Sequence, residues 1–340
     1  MKKQLAILII FFSSLSYGQS AVEYMESLTR GYQQMQNDMW DYTKSVSHGK
    51  SARTVEKRRM ELIATAKTNL RIAENSKGFN GSTAYRDSVV KYLTIVNLVL
   101  NEDYAKLVDM EDVAEQSYDQ MEAYILAKQL ANQKQEDASK MVNSEQAKFA
   151  KDNNINLIES NSALDKKMEI ANEVYDHYNK VYLAFFKSYK QELYLMDAIK
   201  RQDVNAIEQN KQALISTVEE GEKKLTDIEL FENDRTMIQA TQNLLAFYKD
   251  EAKTKMDVVL NYFLKSENFQ KIKTAFDQMK EKDRTQKDVN TFNDAVNEMN
   301  NAVNTYNSQN SQLDSKRSSL IEAWNKAAEN FTDKHIPKGK

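Results

Sequence analysis

Lys77-Gly78-Phe79-Asn80-Gly81-Ser82 contains two of the chain's seven glycines and separates two runs whose apolar residues recur at helical spacing. Glycine accepts the left-handed backbone of a tight turn, so the stretch reads as a corner between helices, with Ser82 or Thr83 placed to cap the second. A counterpart lies 152 residues on, Leu230-Phe231-Glu232-Asn233-Asp234, where Asn233 and Asp234 take over the capping.

The same offset of 152 relates Val55-Glu56 to Ile207-Glu208, Leu62-Ile63 to Leu214-Ile215, Thr65 to Thr217, Phe79 to Phe231 and Leu93 to Leu245. It also carries the stripe Val89, Leu93, Val96, Leu100, Tyr104 and Leu107 onto Thr241, Leu245, Tyr248, Ala252, Met256 and Val259. A shared phase is harder to obtain by chance than isolated identities. Past Val259 the register breaks, and Phe149 corresponds to Phe331 at a separation of 182, which places some thirty extra residues near 260–288.

Proline occurs once, at Pro337, and glycine is scarce throughout. Without these breakers, and without alternating Val, Ile and Thr runs, the chain is expected to be all-α. The expected architecture is two tandem, weakly similar helical-bundle repeats with long antiparallel helices, residues 19–155 and 156–340. Met25, Leu28, Tyr32, Met35, Met39, Tyr42 and Val46 predict one continuous first helix, and Val174, Tyr178, Val181, Phe185, Tyr189 and Leu193 its counterpart in the second half. A weaker pattern from about Asp112 to Phe149 predicts one long helix ending at Asn153-Asn154.

Residues 1–18 read as a signal peptide: Lys2 and Lys3, an apolar run from Leu5 to Phe12, then small residues at Ser16 and Gly18. That run is too short for a stable bilayer span, which takes about 20 residues. No transmembrane segment is expected in the mature chain, which is read as exported to the periplasm, the cell surface or the medium. The absence of cysteine leaves packing to stabilise the fold. The balance of 47 basic and 50 acidic residues argues against nucleic-acid binding, and the local group Lys50, Arg53, Lys57, Arg58 and Arg59 reads as a solvated helix face, with an anion or anionic-surface contact as the alternative.

No catalytic or cofactor-binding constellation stands out. His48, His177 and His335 belong to no zinc motif, and Glu173 with His177, four apart on a helix, falls short of a di-iron set. There is no Gly-x-Ser-x-Gly elbow. No catalytic residue, metal ligand or cofactor is assigned. The aromatics Tyr175, Tyr178, Tyr182, Phe185, Phe186 and Tyr189 read as core, with a carbohydrate or peptide platform as the alternative.

The last helix is more informative. Val289, Phe292, Val296, Met299, Val303 and Tyr306 form a coiled-coil-like seam that continues through Leu313, Leu320, Trp324, Ala327 and Phe331, with polar Asn310 and Arg317 at seam positions. Each of the first six is followed by asparagine. Those amides read either as the uncharged edge of a bundle or as a face, centred on Asn293, Asn297, Asn300 and Asn304, that hydrogen-bonds a partner protein or a glycan.

Residues Gly78 to Asp87, with Phe149 to Asn154 and Phe331 to His335, resemble a family of exported helical surface proteins of spirochaetes and Bacteroidetes. The resemblance implies export, helices and an envelope or surface location; it implies no activity and transfers no functional residue. The expected function is therefore non-enzymatic binding of an unidentified partner. The competing classes are a metal-handling or enzymatic helical bundle and a periplasmic holdase-like chaperone. Oligomeric state is left open.

Overall fold

The computed structural model describes residues 19–47, 51–157 and 163–338. The signal-peptide reading of residues 1–18, together with His48 and Lys50, lies outside them. The described chain is all-α, and no named strand occurs in it. Its contacts divide into two compact units, one comprising the described residues up to Asp176 together with those from Thr332 onward, the other His177–Phe331.

The elements are α1 (Ala21–Thr29), α2 (Tyr32–Ser47), α3 (Ala52–Asn75), α4 (Ala84–Leu98), a π-helical turn (Val99–Asp103), α5 (Tyr104–Ala114) and α6 (Tyr118–Asp152). There follow α7 (Ala163–Lys200), α8 (Val204–Thr226), α9 (Thr236–Asp250), a second π-turn (Glu251–Lys255), α10 (Met256–Gln278), a short 3-10 turn (Glu281–Asp283) and α11 (Gln286–His335). Side chains at the starts hold the frayed amides: Ser20 and Glu23 form a capping box, and Ser51, Ser117 and Asp203 each accept from the third residue beyond.

The two corners are built alike. Phe79 and Ser82 exchange backbone hydrogen bonds of 2.8 and 2.9 Å across Asn80 (φ 48°) and Gly81 (φ 82°). Asp234 N donates to Phe231 O at 2.7 Å across Glu232 (φ 46°) and Asn233 (φ 62°). Positive φ at both central residues is the requirement of a type I′ turn, met best by Asn-Gly. Capping differs from expectation on the first side. Thr83 makes no side-chain cap bond and instead donates to Asp87 Oδ2 at 2.7 Å, whereas Asp234 Oδ1 accepts from Thr236 N at 2.8 Å. A Cβ on Gly81 meets nothing within 4 Å, so Gly81→Ala isolates the backbone term. It is expected to cost about 1 kcal/mol, a loss of a few degrees in Tm measured by circular dichroism.

In the first unit Tyr24, Phe79 and Phe149 pack with ring centroids 5.3 to 5.5 Å apart. Around them Met25, Leu28, Leu62, Ala66, Val89, Leu93 and Leu100 are buried. The expected continuous first helix is broken at Arg30-Gly31, where Asn69 of α3 donates Nδ2 to Gly31 O at 3.0 Å. The long helix expected from about Asp112 is α6, which is continuous and starts six residues later at Tyr118, after α5 ends at Ala114. In the second unit His177 lies 6.0 Å from Phe231 and 5.2 Å from Phe331. Trp324 stacks on Phe185 at 4.8 Å and donates Nε1 to Thr241 Oγ1 at 2.8 Å.

Residues 260–288, where the sequence reading places some thirty extra residues, fall in the hairpin of α10 and α11. α10 has 23 residues against 11 in α5, and α11 has 50 against 35 in α6. Aromatic rungs join its two arms: Tyr262 with Tyr306 at 4.4 Å and Phe276 with Phe292 at 4.5 Å.

Candidate functional site

Two neighbouring features of the second unit draw attention, one buried and one open. The buried one is centred on Arg317, the polar residue at a seam position of α11. Its guanidinium bonds Glu192 Oε1 from α7 and Glu251 Oε1 from the second π-turn, and Nη1 reaches Asp314 Oδ1 at 2.5 Å. Both glutamates are 0% exposed. Glu192 Oε2, Glu251 Oε2, the Tyr248 hydroxyl and Ser188 Oγ are buried with no hydrogen-bond partner among the described residues.

A π-turn inserts one residue into a helix and rotates the helix beyond it. Here Glu251, the first residue of the turn, and Ala252 beside it are both buried. Burial raises Glu251 to about 7, Arg317 opposing and Glu192 adding to the shift. Glu192 is raised for the same first reason, again against Arg317. Burial works against the Arg317 charge, but the two carboxylates and the Asp314 bond outweigh it and hold the guanidinium charged. Tyr248 is pushed well above the usual phenol range by burial and then by both glutamates. Two carboxylates thus share one cation in a dry interior, and the second carboxylate is the one that gains by taking a proton.

The open feature is a cleft of about 670 Å³ over the same turn. Its lining includes the apolar Phe247 and Leu313, the charged Asp250, Lys255 and Lys316, and the amides Asn304 and Gln312. Gln309 Nε2 donates to the Lys255 carbonyl at 2.9 Å, tying α11 to the π-turn. Lys316 Nζ lies 5.9 Å and Arg317 Cζ 5.8 Å from the Phe247 ring centroid, so the floor of the cleft is the roof of the buried cluster.

Of the sequence-predicted face, Asn293, Asn297, Asn300 and Asn304 are all exposed, as are Asn290 and Asn307. None of the four forms a side-chain hydrogen bond to another described residue. They run about 16 Å along α11 at 1.5 Å per residue, and of the four only Asn304 reaches the cleft. Beside them Val289, Phe292, Val296, Met299, Val303 and Tyr306 are half-buried, and Leu313, Trp324, Ala327 and Phe331 are buried.

The other candidates are dispersed. Glu173 is exposed while His177 is buried, and no three metal-ligating side chains cluster among the described residues. In the basic group, Arg58 pairs with Glu61 at 2.8 Å and Arg59 with Glu56 at 2.8 Å. Arg59 Nη1 also donates to Leu100 O at 2.9 Å in the first π-turn. Of the crowded aromatics, Phe185 and Phe186 are buried and Tyr175, Tyr178, Tyr182 and Tyr189 half-buried. The stripe expected to end at Leu193 is displaced: Leu193 is 37% exposed, and Glu192 and Leu195 take the inward positions. Neither glutamate stands out in the sequence. Comparison with family models, with curated proteins and with solved structures returns no match.

Proposed function

We propose that this chain is a non-enzymatic, exported binding protein that engages its partner through the amide face of α11. One observation carries the reading: four asparagines at successive turns are exposed, uncharged and unengaged, and the row ends at a polar cleft. Solvated helix faces in this chain are otherwise laced with ion pairs, as Lys271 with Glu267 and Lys273 with Asp277 show. Amides give donors and acceptors together without the desolvation cost of a charge, which suits recognition of hydroxyls or backbone groups. The buried carboxylates favour this reading over an enzyme, since full burial keeps any substrate from them.

The two units are read as copies of one ancestral bundle. Their corners (Phe79/Ser82 and Phe231/Asp234), the N-caps of α3 and α8 (Ser51 and Asp203) and their π-turns (Val99–Asp103 and Glu251–Lys255) all stand 152 residues apart. A π-turn is an uncommon insertion, so its recurrence at one offset weighs more than helical content does.

The test is sedimentation of the labelled mature protein with isolated cell envelopes. The fourfold variant Asn293→Ser, Asn297→Ser, Asn300→Ser and Asn304→Ser is expected to lose that binding while its Tm falls by no more than a few degrees. Unchanged binding by the variant overturns the proposal.

A further inference from the structure

The cleft carries a more specific reading. Its wall cations differ in engagement. Lys255 is drawn to Asp250 at 3.9 Å, and Asp250 also accepts from Thr254 Oγ1 at 2.7 Å. Lys316 sits over the Phe247 ring and has no carboxylate partner among the described residues. Several lysines of this unit are paired, Lys187 with Glu220 and Lys249 with Glu222, each at 2.6 Å, and Lys253 with Glu219 at 3.2 Å; Lys316 is distinguished by its place in the cleft lining. Lys316, lining the cleft beside the hydroxyl and amides of Ser308, Asn304 and Gln312, offers an anion one cationic contact and several neutral ones, while the Asp250 carboxylate of the same lining is engaged by Lys255 and Thr254.

We propose that this cleft binds a small hydroxyl-rich oxyanion, a sugar or polyol carrying a carboxylate or a phosphate, and that its occupancy is linked to protonation of the carboxylate pair beneath. The proposal rests on the α11 binding face only through Asn304. The linkage arises from shared parts. Arg317 touches the cleft floor through Phe247 and bonds both Glu192 and Glu251. A bound anion adds negative potential above a guanidinium that already serves two carboxylates, so a proton on the pair becomes more favourable. The charges that act on Glu251 are Glu192 from α7 and Arg317 and Asp314 from α11, and Glu251 in turn raises the Tyr248 phenol of α9. From α8, Glu219 and Lys211 pair with Lys253 and Asp257 at the outer side of the turn.

Linkage is reciprocal: if the anion favours the proton, the proton favours the anion. Affinity is therefore greatest where Glu251 is protonated and falls as pH rises past about 7.

Isothermal titration of the mature protein with glucuronate, glucose 6-phosphate, glucose and inorganic phosphate tests this. At least one of the two charged sugars is expected to bind, and which of them does identifies the anionic group. Glucose and inorganic phosphate are expected to bind at least tenfold more weakly, and affinity for the charged sugar to drop about tenfold between pH 6 and pH 8. Lys316→Ala, an exposed substitution, is expected to lose binding. Glu251→Gln, a neutral isostere, is expected to bind equally at both pH values. Absence of binding by both charged sugars at millimolar concentration, equal binding of glucose or phosphate, unaltered binding by Lys316→Ala, or a pH dependence that survives in Glu251→Gln overturns the proposal. The variant Asn293→Ser, Asn297→Ser, Asn300→Ser retains the cleft. Loss of envelope binding with sugar binding intact in that variant separates failure of one reading from failure of the other.

Discussion

Arg317→Leu is expected to destabilise the protein by about 3–5 kcal/mol at pH 8, read as a lowered urea midpoint at unchanged slope. Leucine fits a seam position and helix propensity barely changes, so the loss is electrostatic. Glu192 and Glu251 are both 0% exposed, and without the guanidinium each is a buried carboxylate with no counter-charge. Against a domain stability of about 5–15 kcal/mol, that is a fifth or more of the total. Arg317→Lys keeps the charge but offers one compact ammonium where a forked group bridges two helices and a π-turn, so it is expected to fall between. The triple change Glu192→Leu, Arg317→Leu, Glu251→Met removes all three charges together. It is expected to lie within about 1 kcal/mol of the parent or above it, because replacing a buried ion cluster whole is far cheaper than breaking it. A triple variant as unstable as Arg317→Leu would mean that the loss is one of packing and not of charge.

The pH dependence has a defined sign. Glu251 is raised to about 7 by burial, whereas an unfolded glutamate titrates near 4.3. Between those values the folded protein holds a proton that the unfolded chain has released. This group's contribution is therefore fully present below the unfolded value, is lost as pH rises through the window, and is flat above about 7. Its amplitude is at most about 4 kcal/mol. Subtracting the profile of Glu251→Gln from that of the parent isolates it. The Arg317→Leu deficit is expected to shrink at pH 5, where both stranded carboxylates take protons at less cost.

Arg317 was legible in the sequence because an arginine interrupts a long apolar seam. Its partners were not, and the reasons are physical. Glu192 follows Ser188 by four and precedes Leu195 by three, so the inward stripe of α7 carries polar residues. The more hydrophobic series through Tyr189 and Leu193 outcompetes it by pattern, yet Leu193 is 37% exposed. Glu251 is hidden by the π-turn, since a fixed period of 3.6 residues does not register an inserted residue. The apolar stripes themselves agree with burial, through both π-turns: Val89, Leu93, Val96, Leu100 and Leu107, and also Thr241, Leu245, Tyr248, Ala252, Met256 and Val259, are buried, and what the period misses is Glu251 buried beside Ala252. The asparagine row was visible as spacing alone. Whether those amides lined a bundle edge or an open face depended on what packs against α11, which no local pattern encodes.

Gly221→Ala is expected to destabilise by about 2 kcal/mol and Gly221→Val by more, although the same alanine exchange in an open helix interior gains about 1 kcal/mol. The opposing term is steric. A Cβ at Gly221 of α8 falls 2.5 Å from the Ala184 carbonyl oxygen of α7 and 3.2 Å from a Leu245 methyl. That carbonyl is helix backbone and has no rotamer to change, so α7 and α8 must separate, loosening Ile207, Leu214 and Val218, all 0% exposed. In the first unit the obstacle is reversed. Asn69, 152 residues before Gly221, is the bulky partner, and a Cβ on Gly31 falls 1.7 Å from its Oδ1. Gly31→Ala should therefore be destabilising too, but Asn69→Gly added to it removes the obstruction and is expected to recover at least half the lost Tm. No side-chain change on α7 can do the same for Gly221→Ala. A rise in Tm for Gly221→Ala would show that helix propensity outweighs the contact, and that α7 and α8 cross with more room than a Cβ needs.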